Sequence, residues 1–384
     1  MDVIGILGES LDLGPIRPPS EAFSLLIRVT RNCPWNRCTF CKTYKGQKFE
    51  LRTVDEVKQD IRAAKLIYDR INEIARRSGN GGNLREAAAQ ICNTATDPAY
   101  HNVALWVYAG ARSAFLQDAN TLIVPNKDLV EIIRFLKETF PGIERITSYA
   151  RSKTAAKKTT EELRELREVG LSRLHIGLES GYDPLLQYIQ KGVTVADHIA
   201  GGKKIKQSGI SLSEYVILGL GGKKWWREHA LETARVLNEI NPDFIRLRTL
   251  TVTERMPLWQ EVEEGNLIRL TDEEIVAEEK LFIENLSCEA NLVSDHVTNL
   301  LQEIEGKLPE DKEKMLSVIR RFQDFPSEEK LNFKIGRRAG IYATLDELDD
   351  HRKHETVAQI VNRLHENGTD TDEEVVYSLM KRFL

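Results

Sequence analysis

Short apolar, β-branched runs alternate with stretches of helical periodicity from residue 23 to about residue 270, and this order leaves few ways to fold. The runs are FSLLIRVT (23–30), VALWVYA (103–109), IERITSY (143–149), LSRLHIGLE (171–179), SLSEYVILGL (211–220) and DFIRLRTLTV (243–252). Between them the chain carries helix signals. Thr53 and Glu56 form a capping-box pattern ahead of apolar spacing that lasts to about Ile74. Pro125 precedes a helix near 126–140, and Gly170 closes one at about 160–169. Thr194 and Asp197 open a helix that Gly209 closes, and another spans 228–240. Six strand–helix units in series predict a parallel sheet with right-handed crossovers. The expected class is α/β, a partial (β/α)6 TIM-like barrel over 23–270 with a mainly helical C-terminal region over 271–384. Residues 1–22, with Pro15, Pro18 and Pro19, read as an irregular N-terminal arm, and the polar stretch 78–102, which holds SGNGGN, reads as a surface insertion. Thr271 and Glu274 start the C-terminal region, which two glycines interrupt within 331–345.

Composition narrows the function classes. The 384 residues are 41% apolar and 29% charged, which is globular composition. No run of about 18 apolar residues exists, so no membrane helix is expected. Asp2 stands where a secretory signal would be basic, and a cytoplasmic protein is expected. Net charge is −5, and it is uneven: residues 271–384 hold 26 Asp/Glu against 15 Lys/Arg. That balance gives no support to a nucleic-acid partner.

Cys33, Cys38 and Cys41 lie within nine residues of one another in TRNCPWNRCTFCKTYKG (30–46), while Cys92 and Cys288 are isolated. An odd count with a tight triplet does not match a secreted disulfide framework. The triplet directly follows the first expected strand, and in a βα barrel the loops after the strands form the active-site face. Three thiolates can hold three irons of a four-iron cluster and leave the fourth iron open. They can also belong to a zinc site, which normally takes a fourth protein ligand; the next histidine is His101.

This loop resembles the cluster motif of the radical S-adenosylmethionine (SAM) superfamily. Four residues, Pro34-Trp35-Asn36-Arg37, separate the first two cysteines where the usual motif has three; two separate the last pair, and Phe40 precedes the last cysteine. The likeness continues in 174–210, where Glu179-Ser180-Gly181 ends a strand and Lys191-Gly192 follows. This resembles the branch with methylthiotransferases, the elongator catalytic subunit and oxygen-independent coproporphyrinogen oxidases. YVILGLGG (215–222), Pro257 and Gly265 extend the likeness.

The resemblance implies that Cys33, Cys38 and Cys41 ligate a [4Fe-4S] cluster, that S-adenosyl-L-methionine chelates the open iron, and that Phe40 lies near the adenine. It implies Glu179 at the cosubstrate, and a low-potential electron donor of flavodoxin or ferredoxin type as partner. Many relatives place Gly-Gly-Glu after the second strand; here the corresponding stretch is expected at 108–113, which lacks an acidic residue. Two other classes remain: a cluster- or haem-handling carrier without turnover, and a zinc-stabilised binding module. With only a 22-residue arm ahead of the barrel, no cobalamin domain is expected.

Arg151 ends the third strand and can hold a carboxylate of cosubstrate or substrate, or form a surface ion pair. Arg246 and Arg248 alternate on the sixth strand and share a face, suited to an acidic substrate if that face is interior. Gly336-Arg337-Arg338-Ala339-Gly340 reads as a turn with solvated arginines. Ser294-Asp295-His296 reads as capping or packing on a helix. Trp225 and Trp226 are expected to pack at a helix start, and Cys92 and Cys288 to be inert thiols.

Overall fold

Strands joined by helical crossovers form the sheet of the computed structural model, which describes residues 11–77, 83–366 and 372–381. In chain order the strands are β1 (Leu25–Arg28), β2 (Thr30–Arg31), β3 (Glu50–Leu51), β4 (Ser113–Gln117), β5 (Arg145–Ala150), β6 (Leu171–Glu179), β7 (Ser211–Leu218), β8 (Phe244–Thr249), β9 (Asn291–Val293) and β10 (Gly306–Lys307). The main sheet has the order β1-β4-β5-β6-β7-β8-β9-β10, and β2 pairs separately with β3. β1, β4, β5 and β6 run parallel, as do β7, β8 and β9, while β10 is antiparallel to β9. This is the α/β, partial TIM-type strand plan expected from the alternation.

The chain divides into two units. The first is Met1–Asn36, Thr43–Ile176 and Ala200–Leu212; the second is Arg37–Lys42, Gly177–Ile199 and Ser213–Leu384. Cys33 thus belongs to the first and Cys38 and Cys41 to the second.

In the first unit, helix Val54–Arg77 forms because its start is capped and one face is apolar. Thr53 Oγ1 accepts from the Glu56 N–H, and the Glu56 carboxylate accepts from the Thr53 N–H. Val57, Ile61, Ala64, Ile67 and Ile71 recur at helical spacing and are buried. Each large aliphatic among them contributes about 1.5–3 kcal/mol of burial.

The VALWVYA run is not a strand. It lies in helix Pro98–Tyr108, where the Asp97 side chain accepts from the N–H groups of Ala99 and Tyr100 and Pro98 fills the first turn. A short apolar run does not itself distinguish a buried strand from a buried helix. Here the cap decides, and Trp106 packs edge-on against Phe140. The second strand of the sheet is β4, SAFLQ, further along. The segment expected as an insertion is also helical where described: Leu84–Thr94, capped by Asn83, buries Ala87, Ala88 and Ile91. Residues 78–82, with most of SGNGGN, lie outside the described residues, as do residues 1–10 of the arm. The rest of the arm is tied down. Leu11 is buried. Asp12 pairs with Arg28 and Arg31, and the wholly buried Glu21 pairs with Arg145.

In the second unit, the Thr271–Glu274 capping box opens helix Asp272–Glu284 as expected. The region to the C-terminus is mainly helical, but it also supplies β9 and β10. Ser294, Asp295 and His296 follow β9 and are not on a helix. The residues from Gly336 to Arg338 are not a turn either; they end helix Ser327–Arg338. Both arginines are buried, Arg337 at 4% and Arg338 at 2% exposure. Arg338 donates to the Asp272 carboxylate at 2.7 Å and to the Thr298 carbonyl at 2.6 Å, and Arg337 donates to the Asn299 carbonyl at 3.2 Å. These basic groups are structural clamps, because buried charge demands partners. The last described helix, Asp372–Lys381, is held by Tyr377, whose hydroxyl donates to the Val252 carbonyl and accepts from the Val252 N–H.

Removing one member of a buried pair leaves the other charged and unsatisfied. Arg338→Met is expected to lower the unfolding free energy by about 3–5 kcal/mol. Urea denaturation of the two proteins measures this, and a loss under about 1 kcal/mol would contradict the clamp role.

Candidate active site

In the first unit the loop after β1 is organised by a carboxylate at the end of β4. Asp118 is wholly buried. Its Oδ2 accepts from Arg28 Nε at 3.1 Å, Arg28 Nη2 at 2.7 Å and the Asn32 N–H at 3.0 Å. Its Oδ1 accepts from the Tyr44 hydroxyl. Burial, and then the neighbouring Asp118 charge, push the Tyr44 pKa far upward, so the phenol stays a donor. The loop bends through left-handed residues Asn32 (φ 69°) and Asn36 (φ 45°), a conformation that asparagine tolerates. Asn36 Nδ2 donates to the Tyr44 carbonyl, and the Asn36 N–H points at Cys33 Sγ, 3.4 Å away. Arg151, which follows β5, lies with its guanidinium 5.1 Å from the Trp35 ring centre.

The stretch after the second strand is therefore Gln117-Asp118-Ala119-Asn120, not 108–113 as expected. It does contain an acidic residue. That residue is engaged by Arg28, Asn32 and Tyr44. Sequence reading missed Asp118 because the second strand was placed a dozen residues early; the signal was the SAFLQ run followed by Asp-Ala-Asn.

The second unit holds Phe40, Glu179 and Lys191 together. Glu179 Oε1 accepts from Lys191 Nζ at 2.7 Å, and the same ammonium lies 5.5 Å from the Phe40 ring centre. Gly177 leaves room for this pair: a Cβ there would come within 2.1 Å of Glu179 Oε1 and would displace the carboxylate from its present position. Glu179 sits at φ 63°, a conformation that costs a residue with a side chain about 1–3 kcal/mol. The turn that holds it is over-determined. The Gly181 N–H donates to Thr233 Oγ1 at 2.8 Å, and Ser180 Oγ lies 2.9 Å from His229 Nδ1. His229 Nε2 lies 3.0 Å from the Ile217 carbonyl. Since only a protonated Nε2 can donate there, Nδ1 is the acceptor for Ser180. Burial lowers the His229 pKa to about 4, so the ring is neutral.

Among the other buried carboxyls of this unit are Glu214 and Glu278. Glu214 has both oxygens buried without a hydrogen-bond partner, and burial, then the Glu179 charge, raises its pKa well above the usual range. Glu278 accepts from the Gly219 N–H at 2.5 Å, and burial raises its pKa to about 8. Neither was singled out from the sequence, where a lone Glu within a strand or helix carries no signal.

The three loop cysteines form no disulfide and are partly exposed, whereas Cys288 is buried and Cys92 half-buried. Among the described residues no three His, Cys, Asp or Glu side chains converge to hold one metal ion. A four-iron cluster places each thiolate on a separate iron and does not need that convergence. Three unbridged thiols on one loop, with a backbone N–H on the first sulfur, fit such a group chemically. Trp225 packs at its helix start as expected, edge-on against Tyr188.

Two measurements probe these arrangements. Asp118→Asn leaves Arg28 buried beside a neutral amide and is expected to cost about 3–5 kcal/mol in urea unfolding, against about 1 kcal/mol for Tyr44→Phe. Glu278 has its folded pKa raised from 4.5 to about 8. It therefore contributes stability that is full below pH 4.5 and lost as pH rises through about 8. Glu278→Gln should make the fall in melting temperature over that interval shallower; an unchanged slope would contradict the assignment.

The family described as Radical SAM superfamily matches residues 106–234, a span that contains Glu179 and Lys191 and begins after the cysteine loop. A tRNA uridine(34) acetyltransferase of Methanocaldococcus jannaschii is 22% identical over 117 residues, covering 30% of this chain and 22% of that protein. The biotin synthase of Bacillus pumilus is 28% identical over 155 residues, covering 40% of this chain and 46% of that protein. The chain thus matches less than half the length of these curated relatives. Among solved structures, an Elp3 of Methanocaldococcus infernus aligns with TM-score 0.40 and 14% identity over 49% of each chain. Methylornithine synthase (PylB) aligns with TM-score 0.40 and 17% identity over 76% of this chain and 68% of its own. Over residues 106–234 the chain is thus similar to the radical SAM superfamily.

Proposed function

We propose that Cys33, Cys38 and Cys41 hold a [4Fe-4S] cluster and that the chain cleaves S-adenosyl-L-methionine reductively to act on a substrate by hydrogen abstraction. A cluster held by these three thiolates would supply one electron for reductive cleavage of the sulfonium to methionine and a 5′-deoxyadenosyl radical, which would take the substrate's hydrogen atom. The observation that carries this reading is the Phe40–Lys191–Glu179 constellation, which joins the residue before Cys41 to the acidic end of β6.

The chain's own residues have separable tasks. Asp118 and Arg28 anchor the start of the cysteine loop. Phe40 offers an aromatic surface to the adenine. Lys191 aims the Glu179 carboxylate, which meets the cosubstrate's ribose or its positive sulfonium. Arg151, resting near Trp35, is a candidate for a carboxylate. The cluster's reductant is a low-potential protein of flavodoxin or ferredoxin type. Residues 23–270 would form the catalytic part, with 271–384 beside it. No helix among the described residues is long and apolar enough to cross a membrane; cytoplasmic residence is part of the proposal.

The test is anaerobic reconstitution with iron and sulfide, reduction, and detection of 5′-deoxyadenosine after adding S-adenosyl-L-methionine. Cys38→Ala is expected to lose the cluster's iron and its electron paramagnetic signal; full iron content in that variant would sink the ligand assignment. Lys191→Met is expected to keep iron but slow deoxyadenosine formation about ten- to a hundredfold, the equivalent of a charge-assisted hydrogen bond worth about 1.5–3 kcal/mol. A stable cluster with no deoxyadenosine would favour a carrier, and bound zinc in place of iron would favour a binding module.

A further inference from the structure

Arg246 and Arg248 share one face of β8, yet their surroundings differ. Arg246 is buried and donates to the Asp295 carboxylate at 2.6 Å. Its charge is answered within the fold. Arg248 is half-buried, and among the described residues no carboxylate lies within ion-pair distance of it. Its guanidinium instead lies over the Tyr215 ring, 4.7 Å from the centre. A stacked guanidinium keeps its edge donors available for a planar, bidentate acceptor.

A second donor comes from the loop after β9. His296 Nδ1 receives the Thr298 N–H at 3.4 Å and lies 2.6 Å from Thr298 Oγ1. That fixes Nδ1 as the acceptor and places the ring proton of a neutral imidazole on Nε2. Burial, then the charge of Arg248, lowers the His296 pKa to about 4, so the ring is neutral and the two groups are electrostatic neighbours. Nε2 has no protein acceptor among the described residues. Here a cation on β8 and a neutral N–H donor from the loop after the adjacent parallel strand β9 are both left without an anion among the described residues. Register strengthens the juxtaposition: Tyr215 pairs with Arg246, and Arg246 with Val293, so Tyr215, the two arginines and the end of β9 share one face.

We infer that Arg248, Tyr215 and His296 form a binding site for a carboxylate of the substrate. This rests on the radical SAM reading and narrows it: the substrate class would be organic acids. The Arg248 fork would take both carboxylate oxygens, and the His296 Nε2–H would add a donor to one of them. Asp295 would keep Arg246 from competing for the same anion.

The probe is sodium succinate, observed by saturation transfer from the full-length reconstituted protein in anaerobic solution. Transfer to the succinate methylene protons is expected for the native chain. It should fall at least about tenfold for Arg248→Met, the loss expected from a charged hydrogen bond. His296→Gln should weaken it less, and Arg248→Lys should restore only part of it. Circular dichroism melting confirms that each variant is folded, and equal transfer in native and Arg248→Met proteins would overturn the site. Competitors identify the source. Displacement by methyl phosphate at lower concentration than by acetate would overturn the carboxylate assignment. Displacement by free methionine, which carries the cosubstrate's carboxylate, would reassign the site to the cosubstrate. The same titration on Cys38→Ala separates the two readings: succinate binding through Arg248 in a chain that never holds iron would leave this site standing while the radical reading failed.

Discussion

A buried carboxylate that accepts four hydrogen bonds sets the shape of the loop that follows β1 in the first unit. Asp118 takes two donors from Arg28, one from the Asn32 backbone and one from Tyr44. A carboxylate offers about four acceptor positions, so it is saturated. Saturation matters because the group is fully buried, where an unmet acceptor costs more than a met one gains. The donors come from the end of β1, the first loop residues and the far side of the loop. One anion thereby closes a stretch of backbone that has no regular secondary structure of its own. The left-handed turns at Asn32 and Asn36 are tolerable because these bonds, and those of Asn36 to the loop carbonyls, offset their cost.

Carboxyls elsewhere show how environment assigns their roles. Glu179 has an ammonium within 2.7 Å and is built as an anion at the end of β6. Glu214 and Glu278 have no cation within ion-pair distance, and burial pushes both toward the neutral form. The same residue type is thus ion-paired in one place and a neutral packing group in another. A sequence does not display that difference, since it depends on which cation the fold brings near. His229 follows the same logic: burial and the Ile217 carbonyl fix its tautomer, and the neutral ring then supports the turn that carries Glu179.

What the sequence made legible was mostly local. Capping boxes at Thr53 and Thr271 marked helix starts that the structure keeps, because the cap and the first turn are encoded within a few residues. Strand β6 was legible end to end, closing on Glu179 ahead of Ser180-Gly181. The failures share a cause. VALWVYA is as apolar as a strand, and only the Asp97–Pro98 cap and its partners Tyr68 and Phe140 make it a helix. That single shift hid β4 and with it Asp118. The basic pair Arg337–Arg338 looked solvated because its acceptors, Asp272 and the 297–299 carbonyls, lie about 40–65 residues away in sequence. Strands β9 and β10 are three and two residues long, too short for any period to register.

Parallel topology explains why the chemistry-bearing groups of each unit collect as they do. Parallel strands all end at the same edge, so residues just past their C-terminal ends become neighbours regardless of distance along the chain. In the first unit those positions are Cys33 after β1, Asp118 after β4 and Arg151 after β5. In the second they are Glu179 at the end of β6, the Gly219 turn after β7, Arg248 near the end of β8 and His296 after β9. Selection among the charges at that edge then follows from pairing. Arg28, Arg246 and Lys191 are matched by Asp118, Asp295 and Glu179. Arg248 stands apart because no carboxylate among the described residues answers it, and a half-buried guanidinium without a counter-charge is stable only where a ligand or water can meet it.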